Sequence, residues 1–153
     1  EVYPSTLEGT AITDFLADLK SKPFTDLKEN DLLITSDTIV WLDDKALGKP
    51  KDKIDAIKIL QELSDKMHQV ITSVSIKGKN FQTLFNDTTN VYFKNLTVDE
   101  IHYYVENHKP YDKAGSYGIQ EWIGFIGIEK IEGSYFNVMG LPVQKLYKEL
   151  IKL

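Results

Sequence analysis

Four polar clusters interrupt otherwise apolar stretches of the chain, and each carries residue types that can do chemistry. Asp37-Thr38 breaks the run Leu32-Leu33-Ile34-Thr35-Ser36 from Ile39-Val40-Trp41-Leu42. An acid there is either the cap of a bulge or strand end, or a carboxylate projected into a cleft as general base or metal ligand. Gly48-Lys49-Pro50 precedes a helix-like segment. It is a plain loop or a lysine aimed at an anion held near a helix N-terminus. Asp112-Lys113-Ala114-Gly115 and Tyr117-Gly118-Ile119-Gln120 place charged and amide groups between glycines, as a turn or a binding loop would. Glu132-Gly133-Ser134-Tyr135 through Gly140-Leu141-Pro142 reads as a structural connection.

The remaining composition narrows the chemistry. The 153 residues carry 23 acids and 18 bases, a net charge of −5, and every base is lysine. Guanidinium forks are therefore not available, and an anion must be met by lysine point charges, backbone N–H groups or a metal. Nucleic-acid binding is disfavoured, because phosphate neutralisation needs a basic face. There is no cysteine, so disulfides and thiolate chemistry are excluded. His68, His102 and His108 lack metal-ligand spacing and are expected to be surface or strand residues. Aromatics such as Tyr92, Phe93, Tyr103 and Tyr104 fall at strand or helix spacing, as core or surface packing would, rather than as base-stacking platforms. No apolar run approaches the ~18 residues of a membrane span. No glycine-rich phosphate loop or G-x-S-x-G elbow is present.

The elements that must position these clusters follow from hydrophobic periodicity. Residues 10–20 predict a helix with Thr10 as N-cap and Ile12, Phe15, Leu16 and Leu19 on one face. Two short strands, 32–36 and 39–42, flank Asp37-Thr38. Asp52 caps a helix running to about residue 65, with Ile54, Ile57, Leu60 and Leu63 inward. Residues 67–76 are β-branched and alternating, and 81–94 read as the return strand of a long hairpin. Thr97-x-x-Glu100 is a capping box. Residues 122–131 read as a strand apolar on both faces, 133–140 as a loop, and Pro142 opens a last helix with Val143, Leu146, Tyr147 and Leu150 as its stripe. Without linker or repeat, residues 1–153 form one α/β domain, a mixed twisted sheet with flanking helices.

Taken in order, the clusters resemble the Maf family of nucleoside triphosphate pyrophosphatases. The resemblance rests on Ser36-Asp37-Thr38-Ile39-Val40, Leu47-Gly48-Lys49-Pro50, His68-x-Val70-Ile71-Thr72, Asp112-Lys113-Ala114-Gly115-Ser116-Tyr117-Gly118-Ile119-Gln120 and Glu132-Gly133-Ser134 through Gly140-Leu141-Pro142. The Tyr-Gly-Ile-Gln form is similar to the branch acting on dTTP and UTP. The resemblance implies an elongated two-lobed fold like the inosine triphosphatases and a cytosolic house-cleaning enzyme. Its reaction would split a nucleoside triphosphate into monophosphate and pyrophosphate. Asp37 would be the proton acceptor, working with a divalent metal, Mg²⁺ or Mn²⁺. Thr38 and Gln120 would face the base, and Lys49, Lys113 and Lys20 the phosphates. Glu1, in Glu1-Val2-Tyr3-Pro4, would be a second metal carboxylate.

Two features depart from the family pattern. Its opening βα unit, with a Ser-x-Ser-Pro-Arg-Arg loop, has no counterpart in residues 1–153, and Glu121 stands where the family has glycine. The first departure predicts weak catalysis and self-association, as a homodimer or an aggregate. The competing class is a non-catalytic nucleotide-binding or interaction module on the same scaffold.

Overall fold

The longest β-branched run of the chain, rich in Val, Ile and Thr, suits a pleated surface covered on both sides, and it becomes the central strand. The computed structural model describes residues 2–153. Its elements are α1 Thr10–Ser21, β1 Leu33–Leu42, β2 Lys45–Leu47, α2 Lys53–Leu63, β3 Met67–Lys77, β4 Gln82–Phe93, α3 Val98–His108, a single 3₁₀ turn Ala114–Ser116, α4 Trp122–Gly127, β5 Ile128–Glu132, α5 Tyr135–Met139 and α6 Val143–Leu150. The strands form one five-stranded sheet in the order β2-β1-β3-β4-β5. The α/β architecture with flanking helices is as expected, but the sheet is not mixed: among the described residues each of its pairings is antiparallel. No described helix is long and apolar enough to cross a membrane.

Strand alternation divides the molecule into layers. On one face Val40, Leu42, Val70, Val91 and Phe93 pack with α2, α3 and the segment after them. Further along that face, Val74 and Ile76 meet Leu146 of α6. On the other face Ile39 and Ile71 meet Ile12 and Leu16 of α1. The α1 interface is also polar: Thr35 Oγ1 donates to the Ala17 carbonyl, and Ser73 Oγ bonds Thr13 and Asp14.

Several expectations need correction. β1 runs unbroken through Asp37-Thr38, in register with β3 from Leu33↔Lys77 to Trp41↔Gln69, so there is no bulge or strand end. Gly9, at φ 52, occupies the N-cap of α1, and Thr10 is its first helical residue. In α2 the inward face is Ala56, Ile59, Leu60 and Leu63, while Ile54 is 79% exposed. Residues 122–127 are helical and only 128–132 extended; an apolar run without alternation does not distinguish the two. The loop expected at 133–140 contains α5, capped by Ser134, whose Oγ accepts from the Asn137 N–H. Along α6 only Leu146 is buried, and Val143 and Tyr147 are exposed. The capping box at Thr97 and Glu100 forms as the spacing predicts.

His68 is a strand residue, as expected, but wholly interior. Its Nε2 lies 2.6 Å from Tyr117 Oη and its ring stacks on Phe93. Burial pushes its pKa from 6.5 down to about 3, so it is neutral when folded. Between those values the unfolded chain binds the extra proton, and stability therefore falls as pH drops from 6.5 towards 3. The slope from this residue approaches about 1.4 kcal/mol per pH unit. In His68→Gln, which keeps a hydrogen-bonding group but does not titrate, urea midpoints measured across that range should lose this slope. An unchanged slope would assign it to another residue.

Candidate active site

β2 pairs with β1 only over Val40–Leu42. From Leu33 to Ile39 the outer edge of β1 carries no strand among the described residues. A cleft of about 650 Å³ opens beside this edge. Because neighbouring strand residues point to opposite faces, Asp37 turns towards α1 and Thr38 towards the other layer.

Asp37 is 9% exposed and pairs with Lys20 of α1, whose Nζ lies 2.5 Å from Asp37 Oδ1 and 3.1 Å from the Ser36 carbonyl oxygen. Lys20 falls in the last turn of α1, so the helix delivers an ammonium to the strand it covers. Thr38 Oγ1 is 2.9 Å from Thr72 Oγ1 and 3.4 Å from the Gly140 carbonyl oxygen. Those contacts fix the hydroxyl against β3 and the α5–α6 connection.

Two loops form the opposite wall. The one after β2 presents Lys49. Gly115 N–H donates to the Gly48 carbonyl at 3.1 Å and ties it to the segment 112–120. Gly115 has φ 71, and a Cβ there would meet Val40 Cγ2 at 2.6 Å, so only glycine lets this loop lie across β1. Lys113 Nζ is 3.0 Å from both Asp112 Oδ1 and Glu121 Oε1. Burial acts to lower the Lys113 pKa, but hydrogen bonds to Glu121 and Asp112 outweigh it and leave the ammonium above its usual range. The Lys113 contact in turn holds Asp112 below the usual carboxylate range.

Asp37, Thr38, Lys20, Lys49, Lys113 and Gln120 thus all line one cleft, with Gln120 exposed at its rim. Glu1 lies outside the described residues. Residues 133–142 are more than the connection expected, since Val138, Met139 and Gly140 form part of the wall. The glycines and proline bracketing that stretch were the available signal. Tyr117 also lines the cleft, above His68, a pairing that no spacing in the sequence announces.

The arrangement can bind a polyanion between ammonium groups while keeping one carboxylate inside the cleft to accept a proton. An amide at the rim can donate and accept at the edge of a planar ring.

Comparison with known proteins agrees with this geometry. The family model described as Maf-like protein matches residues 2–153. A dTTP/UTP pyrophosphatase of Christiangramia forsetii is 60% identical over 98% of this chain and 77% of its own length. Those of Flavobacterium psychrophilum and Bacteroides fragilis are 57% and 54% identical, over 99% and 100% of this chain and 78% and 80% of their own lengths. With a family match spanning the described residues and relatives more than half identical along them, the chain belongs to the Maf family.

Proposed function

We propose that residues 1–153 act as a cytosolic nucleoside triphosphate pyrophosphatase that hydrolyses dTTP and UTP to the monophosphate and pyrophosphate, a house-cleaning activity on the nucleotide pool. The observation that carries this reading is a buried carboxylate, Asp37, set in the same cleft as Lys20, Lys49 and Lys113. The family membership and the activity named for the relatives support it.

In this reading Asp37 accepts a proton from a water molecule. The water oxygen bonds to the α-phosphorus as the bond from that phosphorus to the α–β bridging oxygen breaks, and pyrophosphate leaves with that oxygen. Lys20 orients the Asp37 carboxylate. Lys49 and Lys113 bind the phosphates and offset their growing charge. Thr38, fixed by Thr72, and Gln120 read the base.

Among the described residues there is no group of three or more side chains that could by themselves hold a metal. A buried hard carboxylate beside a phosphate cleft still fits Mg²⁺ or Mn²⁺, since Mg²⁺ commonly takes one or two carboxylates plus substrate phosphate oxygens. Asp37 would hold the cation, with Glu1 as the proposed second carboxylate. Bound there, it supplies Lewis-acid stabilisation of phosphate charge.

Asp37→Asn should lower kcat for UTP by about a hundredfold or more, with the circular dichroism spectrum unchanged. Near-normal turnover would remove Asp37 from the role. If wild type binds UTP yet releases no pyrophosphate, the chain is instead a non-catalytic nucleotide-binding module. Gln120→Ala should narrow the preference for UTP over CTP and GTP in kcat/KM by about tenfold or more; an unaltered ratio would place base reading elsewhere. The reading also includes a homodimer, supported by large exposed apolar side chains such as Phe125 and Phe136. A monomer mass in sedimentation would remove that part.

A further inference from the structure

Glu121 has no part in the mechanism above, yet it joins three titratable side chains at the edge of the cleft. It stands immediately before α4 but makes no side-chain cap hydrogen bond to that helix. Its carboxylate turns back instead. Oε1 lies 3.0 Å from Lys113 Nζ. Oε2 accepts from Tyr104 Oη at 2.9 Å and lies 3.4 Å from His108 Nδ1. The support beneath is firm. Tyr104 is fully buried, its ring stacks on His108, and its hydroxyl accepts from the Gly118 N–H at 3.2 Å. A Cβ on Gly118 would come to 3.0 Å from Glu121 Oε1 and 3.1 Å from Lys113 Cε, so the pair fills the space above that glycine.

Lys113 therefore has two carboxylate partners, of different kinds. Asp112 is 77% exposed and its pairing is weakened by water. Glu121 is 20% exposed and anchored from α3. A lysine is a point charge on a flexible four-carbon stem and can exchange one anion for another without rebuilding the loop.

Resting on the reading of Lys113 as a phosphate contact, we propose that Glu121 is a positioning residue that competes with the ligand's phosphates for the Lys113 ammonium. It keeps Lys113 at the cleft when no phosphate is there, and it takes the ammonium back as pyrophosphate departs. The carboxylate thereby sets the affinity of the cleft for its polyphosphate ligand.

Glu121→Gln tests this with little change of shape. The single amide oxygen can keep one of the two hydrogen bonds, from Tyr104 or from Lys113, the NH2 group takes the place of the other carboxylate oxygen, and the side chain no longer draws the ammonium by charge. Inorganic pyrophosphate in the presence of Mg²⁺ is the probe, titrated calorimetrically into wild type, Glu121→Gln, Lys113→Met and the double variant. Pyrophosphate should bind Glu121→Gln about fivefold tighter than wild type, the size expected when competition from one partly exposed ion pair is removed. KM for UTP should fall in parallel, with kcat no higher. In the Lys113→Met background the same substitution should change affinity less than about twofold, because the competition runs through that ammonium. Unchanged or weaker binding by a Glu121→Gln protein with wild-type melting behaviour overturns the proposal, and so does an undiminished effect without Lys113. If wild type itself fails to bind pyrophosphate, the phosphate-site reading falls and this proposal with it. Normal binding by wild type with a flat Glu121→Gln response overturns this proposal alone.

Discussion

The two-residue period of β1 governs the rest of the site. Consecutive side chains on a strand point to opposite faces. Asp37 and Thr38 therefore cannot look into the same layer, and a cleft using both must wrap around the strand rather than sit on one side of it. It can do so only where the strand edge is uncovered, and β2 leaves Leu33–Ile39 uncovered by pairing over just three residues. The layers then contribute according to which side they occupy. Lys20 arrives from α1 on the Asp37 side. The turn at Gly140 arrives on the Thr38 side, and the segment 112–120 closes over Val40. A one-residue slip of β1 against β3 would exchange the faces of Asp37 and Thr38 and dismantle both contacts together.

How much of this was legible in the sequence depends on the kind of signal. Asp37 stood out because it interrupts an apolar run, and Lys49, Lys113 and Gln120 because they lie in short polar segments with glycine or proline, and they do share a cleft. The hairpin of β3 and β4 was readable because β3 is a long β-branched run followed by a turn at Lys77-Gly78-Lys79-Asn80. The same reasoning failed where periodicity carried no information. Residues 122–131 are apolar in nearly every position, and the choice between helix and strand was made by packing: Ile123 and Ile126, three apart, both meet the core. Asp37-Thr38 was misread as a break because polarity was taken for irregular backbone, whereas an exposed strand edge accommodates polar residues without one.

Other parts were illegible for a different reason. The burial of His68 against Tyr117 joins residues 49 positions apart. The Glu121 cluster draws on α3, the loop carrying Lys113 and the start of α4. No local pattern encodes such meetings; they follow from the sheet bringing distant segments onto one face. In α2, Ile54, expected inward, is exposed while Ala56 is buried, because the partner helix α3 selects the stripe that packs, and bulk alone does not.

The mixed character of the α1 contact has a thermodynamic consequence. Ile12 and Leu16 give it an apolar centre, but much of its length is held by hydroxyl, amide and carboxylate groups, from Thr13 and Asp14 to the bonds that Gln82 donates to Asp18 and Ser21. Separating such a surface exposes comparatively little hydrocarbon. The heat-capacity increment and denaturant sensitivity of α1 release are correspondingly small, because both scale with the surface uncovered and apolar exposure is what raises the heat capacity. Local opening of this helix is then governed by hydrogen-bond exchange with water more than by hydrophobic hydration. Native-state amide exchange would register it as a unit whose opening free energy is nearly flat in denaturant, set apart from the steeply responding core of β3 and its neighbours.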